Sequence, residues 1–120
     1  MKRRPRLIEL NDHFRNEVIS ERLGVPVRRT LPGLIRFTMG AAEASRSTSR
    51  LLKAILRYND FEKDNEFDEH DYGIFKFGGI SYNWKIDLYG DPMCIDGLAP
   101  LPKDLRKCHR VLTVYLADED

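Results

Sequence analysis

The pair Gly78-Gly79 separates two stretches of the chain in which apolar and polar residues alternate. Adjacent glycines suit a two-residue turn that needs positive φ at both central positions, so this pattern predicts a β-hairpin. The turn also sets the register of the two strands. It places Phe77 opposite Ile80, and further from the turn Phe75 opposite Tyr82, Gly73 opposite Trp84, and Tyr72 opposite Lys85.

The predicted register sorts the side chains of the hairpin onto two faces. One face is apolar and carries Ile80, Tyr82, Trp84, Ile86 and Leu88. A shift of one residue would bury Lys85 and Asp87 in place of the aromatic rings, which argues for the register as given. Tyr82 and Trp84 are therefore expected in the core rather than in a ligand pocket.

Composition bounds the kind of protein that this chain forms. With 120 residues, 42% of them hydrophobic, it is long enough for one domain over residues 1–120 with a true core. It has no apolar run of the length of a membrane span, and Met1-Lys2-Arg3-Arg4 precedes Pro5 rather than a signal-peptide core. We therefore expect a soluble, cytoplasmic protein with no membrane partner.

Cys94 and Cys108 form no C-x-x-C pair and are expected to be reduced thiols.

The remaining periodicities predict an α+β fold. Leu7, Leu10, Phe14, Val18 and Leu23 recur at helical spacing, and Gly24 suits the end of that helix. A strand over Ile35, Phe37 and Met39 ends at Gly40, and Ser45 or Ser47 caps a second helix. The apolar run from Arg110 to Ala117 predicts a central strand. The expected architecture is two helices packed on one face of a mainly antiparallel four-stranded sheet.

Polar residues at the open end of the hairpin form a candidate site. The register places His70 opposite Asp87, flanked by Glu69 and Asp71, with Lys85 nearby. A carboxylate can orient an imidazole for general acid or base catalysis, so an enzyme built here would use His70, Glu69, Asp87 and Lys85. The sequence contains no G-x-S-x-G or H-E-x-x-H motif to supply a nucleophile or a metal. A cross-strand contact without catalysis is the simpler interpretation, and no catalytic residue is assigned.

An acidic connector precedes the hairpin. Its carboxylates lie at alternating positions that resemble a calcium-binding loop: Asp60, Glu62, Asp64, Glu66, Asp68 and Asp71. However, Asn65 replaces the glycine of that loop, Asp71 replaces its bidentate glutamate, and a strand follows instead of a helix. We therefore expect a solvated acidic segment and predict no metal and no cofactor.

Charge is strongly divided along the chain. Residues 1–57 carry 13 Lys or Arg and 5 Asp or Glu, whereas residues 58–120 carry 7 and 14, so charges of +8 and −7 make up the net +1. Four of the basic residues, Arg46, Arg50, Lys53 and Arg57, line one face of the second predicted helix. This stripe could follow a phosphate backbone, bind a partner or the chain's own acidic segment, or simply face solvent.

Several short blocks together resemble the domain of unknown function 3768 family. They are Leu10-Asn11-Asp12 with Phe14-Arg15, Glu69-His70-Asp71-Tyr72-Gly73, Trp84-Lys85-Ile86-Asp87-Leu88-Tyr89, and Arg110-Val111-Leu112-Thr113 with Leu116-Ala117-Asp118-Glu119. The resemblance implies a small bacterial protein without an established activity, often carried on mobile genetic elements. Accessory or anti-defence roles fit that setting.

The sequence thus leads to three functional hypotheses. The first is a non-catalytic binding protein, an accessory factor of a mobile element or an anti-defence inhibitor, whose charge-polarised surface engages a protein complex. Its predicted binding residues are Arg46, Arg50, Lys53, Arg57, Glu69, His70, Asp71, Lys85 and Asp87. The second is a nucleic-acid-binding protein that uses the basic helix face, and the third is a small hydrolase centred on His70.

Overall fold

The computed structural model describes residues 7–45, 47–61, 68–92 and 99–119. These residues form an α+β protein with three α-helices and one four-stranded sheet. The elements in chain order are α1 (Leu7–Arg22), β1 (Gly33–Phe37), α2 (Met39–Ala44), α3 (Thr48–Leu56), β2 (Tyr72–Phe77), β3 (Ile80–Tyr89) and β4 (His109–Leu116). None of the helices in these ranges combines the length and the apolar character needed to cross a membrane.

The sheet is mixed, so the prediction of a mainly antiparallel sheet is wrong. Its strand order is β1-β4-β3-β2, with β1 and β4 parallel and the other two pairs antiparallel. A long crossover that contains two helices connects β1 to the rest of the sheet, and this permits the parallel pairing. The prediction of a central final strand is confirmed, because β4 lies between β1 and β3 and is buried from Arg110 to Tyr115.

The hairpin has the predicted register. Phe77 pairs with Ile80, Gly73 with Trp84, and Tyr72 with Lys85. Gly78 and Gly79 have φ values of 59° and 78°, as the predicted turn requires. The apolar face is also placed correctly, because Tyr82, Trp84 and Ile86 belong to the hydrophobic core.

The structure has one helix more than the two predicted. Met39 and Gly40 begin the short helix α2 instead of ending a strand, because the Thr38 side chain accepts a hydrogen bond from the Ala41 N–H and caps the helix. The preceding strand is therefore displaced to Gly33–Phe37. Ser47, the second of the two predicted caps, begins α3.

The hydrophobic core contains side chains of α1, α3 and the sheet. Its fully buried side chains include Phe14 of α1, Ile55 of α3 and Trp84 of β3. Cys108 is a buried free thiol, in agreement with the prediction, and burial raises its pKa. Cys94 lies outside the described residues. The residues just before β2 lie next to α1, where Asn11 and Asp12 contact Glu69 and His70.

Candidate functional site at the start of β2

His70 lies in a tight bend just before β2 and is held there by several contacts. Its φ of 54° makes it the one residue other than glycine with positive φ in the described parts of the chain. The Asp68 Oδ1 accepts a hydrogen bond from the His70 N–H at 2.9 Å, and Asn11 donates one to the Glu69 carbonyl at 3.1 Å. An unusual backbone conformation persists only where its surroundings fix it, as they do here.

The carboxylate partner of His70 is Asp12, not Asp87. The His70 Nδ1 lies 3.0 Å from both Asp12 oxygens, whereas Asp87 makes a separate contact of 3.7 Å with Lys85. The predicted His70–Asp87 pair is therefore wrong. The positive φ takes His70 out of the strand, so its ring turns toward α1 instead of continuing the ladder.

Aromatic rings contact both His70 and the buried Arg15. The His70 ring stacks on Phe61 with centroids 3.7 Å apart, and the Arg15 guanidinium lies 5.2 Å from the Phe61 ring and 4.9 Å from the Trp84 ring. Arg15 is only 7% exposed, and its Nη1 has no hydrogen-bond partner among the described residues. Burial lowers the pKa of Arg15, while the carboxylate of Asp12, 3.6 Å from Nη2, acts in the opposite direction.

A second buried arginine, Arg110 of β4, is connected to the bend through hydrogen bonds of Asn11. The Arg110 Nε donates to the Asn11 Oδ1 at 3.1 Å, and Arg110 Nη1 donates to the Leu105 carbonyl at 2.8 Å. The Asn11 amide also donates a hydrogen bond to the Glu69 carbonyl, so this one side chain connects α1 to both β4 and the bend. Arg110 is fully buried and has no carboxylate partner in the part of the chain that the structure describes, and this burial lowers its pKa. We name the set Asn11, Asp12, Arg15, Phe61, His70 and Arg110 the His70 junction.

Beside the His70 junction is a surface pocket of about 440 Å³. Its lining is both acidic and aromatic and consists of Tyr58, Asp60, Phe61, Asp68, Asp71, Tyr72 and Ile74. Phe61 belongs to the pocket and the junction alike, so the contacts that fix the junction also fix one wall of the pocket. Tyr72 and Ile74 are 42% and 53% exposed on β2, which gives the pocket an apolar margin.

The other predicted site residues are divided between this region and the rest of the surface. Glu69 is exposed beside the junction, and desolvation together with the negative charge of Asp71 raises its pKa. Lys85 instead extends over the Tyr115 ring at 5.7 Å. The structure therefore brings His70, Glu69 and Asp71 together but assigns Lys85 and Asp87 to a separate contact on the sheet.

The structure describes only some of the carboxylates whose spacing resembles a calcium-binding loop. Asp60, Asp68 and Asp71 line the pocket, whereas Glu62, Asp64 and Glu66 lie outside the described residues. Within residues 7–45, 47–61, 68–92 and 99–119, no three His, Cys, Asp or Glu side chains are grouped so that they could hold a metal ion.

The predicted basic stripe lies on α3 and the residue that follows it. Arg50, Lys53 and Arg57 are all exposed, while the leucines of the same helix face the core. None of these three cations forms an ion pair with a carboxylate in the described part of the chain. Arg46 and the basic arm at residues 2–6 lie outside the described residues.

Sequence reasoning missed the contribution of α1 to this site. Asn11 and Arg15 are one helical turn apart and lie next to the core residues Leu10 and Phe14, so two polar side chains fall on the buried side of an amphipathic helix. Buried polar groups need partners, and that spacing was the available signal of a polar contact inside the fold.

The fold and site together define a small α+β protein with an acidic and aromatic pocket next to a histidine–aspartate pair. A family model described as "Protein of unknown function (DUF3768)" matches residues 37–119, and the chain belongs to that family. Neither the curated proteins nor the solved structures contain a match to this chain.

Proposed function

We propose that this protein is a non-catalytic binding protein that engages a basic segment of a partner protein through the pocket at the start of β2. The observation that supports the proposal is the lining of the pocket, where Asp60, Asp68 and Asp71 stand beside the rings of Tyr58 and Phe61. Carboxylates attract a lysine or arginine head group, and aromatic faces add a cation–π interaction. An accessory or anti-defence role in which the protein occupies a basic surface of a larger complex would use this chemistry.

The apolar margin of the pocket supports a protein partner over a small ion. Ile74 is more than half exposed on β2, next to the acidic lining. Exposed apolar groups beside charged ones are typical of protein interfaces, in which an apolar centre is combined with a polar rim. A binding protein of this kind needs a shaped surface and no catalytic residue.

The first experiment measures the binding of a fluorescein-labelled peptide rich in arginine and lysine by anisotropy, with a peptide of the same length rich in aspartate and glutamate for comparison. We expect only the basic peptide to bind. The double variant Asp60→Asn with Asp71→Asn should weaken binding about tenfold, the equivalent of ~1.4 kcal/mol. Asparagine keeps the shape of each side chain while removing its charge.

The matched control removes two carboxylates elsewhere on the surface. Glu43→Gln with Asp118→Asn alters the net charge by the same amount, and both residues are exposed outside the pocket. Equal weakening by the control pair would mean that the binding reflects only net charge. That result, or the absence of binding by the basic peptide, would contradict the proposal.

Nucleic-acid binding through α3 is a second candidate, favoured by Arg50, Lys53 and Arg57, which are exposed and form no ion pair with any carboxylate that the structure describes. Binding to a phosphate backbone releases counterions, so the affinity should fall steeply as salt is added. A gel shift with duplex DNA, compared between the wild type and Arg50→Glu with Arg57→Glu, tests it. A shift that is unaffected by both substitutions would remove this candidate.

A hydrolase centred on His70 is the third candidate, now with Asp12 as its partner. The Asp12 carboxylate at Nδ1 favours a proton on that nitrogen and leaves Nε2 to accept one from water. Chromogenic esters and phosphodiesters provide the assay. The candidate requires turnover that His70→Gln abolishes and Asp87→Asn leaves unchanged, and it fails if His70→Gln retains full turnover.

A further inference from the structure

Among the described residues, no strand pairs with β2 on the side away from β3. β2 is the last strand in the order β1-β4-β3-β2 of the described residues, and it pairs only with β3. In an antiparallel pair, alternate residues direct their N–H and C=O groups toward the partner strand. The Ile86 N–H donates to the Asp71 carbonyl at 2.8 Å, which places Asp71 and then Gly73 and Phe75 in the bonded set.

It follows that Ile74 and Lys76 direct their backbone groups away from β3. Their side chains share the exposed face of the strand, where Ile74 is 53% exposed. A sheet edge with unsatisfied N–H and C=O groups is a template for an added strand unless it is short, charged or covered. Lys76 supplies one charge at the turn end, while the pocket end carries only carboxylates.

The charges along this edge are opposite at its two ends. Asp60, Asp68 and Asp71 lie at the start of β2, and Lys76 lies near its end. A complementary segment therefore carries a basic side chain for the pocket, an apolar side chain against Ile74, and an acidic side chain near Lys76. Antiparallel pairing is slightly more stable than parallel pairing, and it places the basic residue toward the C-terminal end of the segment.

We infer that the partner segment adds to β2 along Ile74 and Lys76 as an antiparallel strand, with a basic side chain in the pocket. This inference depends on the proposed function and specifies the form in which the partner is bound. Main-chain hydrogen bonds to Ile74 and Lys76 supply affinity in such a complex, and the pocket supplies selectivity.

The test uses a short labelled peptide that alternates valine and threonine between an N-terminal glutamate and a C-terminal arginine. A second peptide of the same sequence is N-methylated at alternate backbone nitrogens on the edge that would face β2, so it keeps every side chain and loses the strand hydrogen bonds. We expect the methylated peptide to bind at least about tenfold more weakly. The amide protons of Ile74 and Lys76 should exchange more slowly when the parent peptide is bound.

A variant of the protein supplies the reciprocal test. Ile74→Pro removes the outward N–H at a position where an edge strand tolerates proline, and Ile74→Val keeps it. Only the proline variant should lose peptide affinity, and circular dichroism establishes that both variants are folded. If proline disturbs the strand, the methylated peptide still tests the inference with the wild type.

Two outcomes separate this inference from the function on which it depends. Equal affinity for the parent and methylated peptides, with unchanged exchange at Ile74 and Lys76, would overturn strand addition while leaving pocket binding intact. Failure of the charged peptides to bind at all would overturn both. Exchanging the glutamate and arginine of the peptide should reduce affinity, and equal binding of the exchanged peptide would contradict the antiparallel orientation.

Discussion

Gly73 and Trp84 are paired across β2 and β3, and the indole ring occupies the space that a Cβ on residue 73 would need. The nearest atom to that Cβ would be the Trp84 Nε1, followed by the ring carbon beside it and by the Tyr58 ring. Trp84 is fully buried and cannot move outward. A glycine at this position is therefore a packing requirement of the core and not a feature of the turn.

The first prediction concerns this pair. Gly73→Ala should destabilise the protein by ~1–3 kcal/mol, because the added methyl group overpacks a filled space. Urea unfolding followed by Trp84 fluorescence measures the loss. Lys76→Ala, a change on the exposed face of the same strand, serves as the control and should lie within about 0.5 kcal/mol of wild type. Equal effects of the two substitutions would contradict the packing argument.

The second prediction concerns the ring contacts of Arg15. Arg15→Lys should cost ~1–2 kcal/mol, because an ammonium group cannot lie flat against both Phe61 and Trp84. Arg15→Met should cost less, since it fills similar space and removes a buried charge whose Nη1 has no partner among the residues described. Chemical denaturation of both variants provides the measurement. A methionine variant that is the less stable of the two would indicate that the charge itself stabilises the fold.

The third prediction concerns the pairing of His70. A double-mutant cycle between Asp12→Ala and His70→Ala should give a coupling energy of ~0.5–1 kcal/mol, as expected for a partly exposed hydrogen bond between a histidine and a carboxylate. The same cycle between His70→Ala and Asp87→Ala should give a coupling close to zero. Comparable coupling in both cycles would restore the cross-strand pair that the hairpin register alone predicts.

The fourth prediction concerns the pH dependence of stability. Burial alone would raise the pKa of Glu17, but hydrogen bonds from Thr30 and Leu31 together with the charge of His13 outweigh it and lower the pKa below 4.5. The shortest of these hydrogen bonds, from the Thr30 hydroxyl, is 2.7 Å long. A carboxylate with a lowered pKa stabilises the folded state above its unfolded pKa and loses that contribution as the pH falls through the folded value.

The free energy of unfolding of wild type and Glu17→Gln, measured from about pH 6 to about pH 3, tests this linkage. The difference between the two proteins should be largest at the upper end of the range and shrink as Glu17 becomes protonated. Glu21→Gln is the control, because Glu21 is more exposed and pairs only with Arg29 in the described part of the chain. A difference that is constant with pH would contradict the assignment.

The sequence predicted those features of the fold that local patterns decide. The hairpin register followed from two glycines and a period of two, and the central position of β4 followed from its continuous apolar run. Helix α2 was missed because its six residues are too few to show a helical period. The parallel pairing of β1 with β4 depends on a crossover that no local pattern specifies.

The site was predicted less completely, because its partners are distant in sequence. His70 and Asp12 are separated by 58 positions, and only the folded chain brings them together. The register predicted Asp87 as the partner because it assumed that the strand continues through His70, and the positive φ at that residue invalidates the assumption. The acidic character of the pocket was nevertheless visible in the run of carboxylates before β2.

The hydrogen bond from Arg110 to Asn11 joins the region that the family model matches to a helix outside that region. The family model begins at residue 37, yet α1 supplies Asn11 to this bond and contributes Leu10, Phe14, Val18 and Ile19 to the core. A fragment of residues 37–119 would leave the Arg110 guanidinium without its amide acceptor and a broad apolar surface in water. We expect that fragment to aggregate or to remain unfolded, so the unit that folds cooperatively extends beyond the residues that the family model matches.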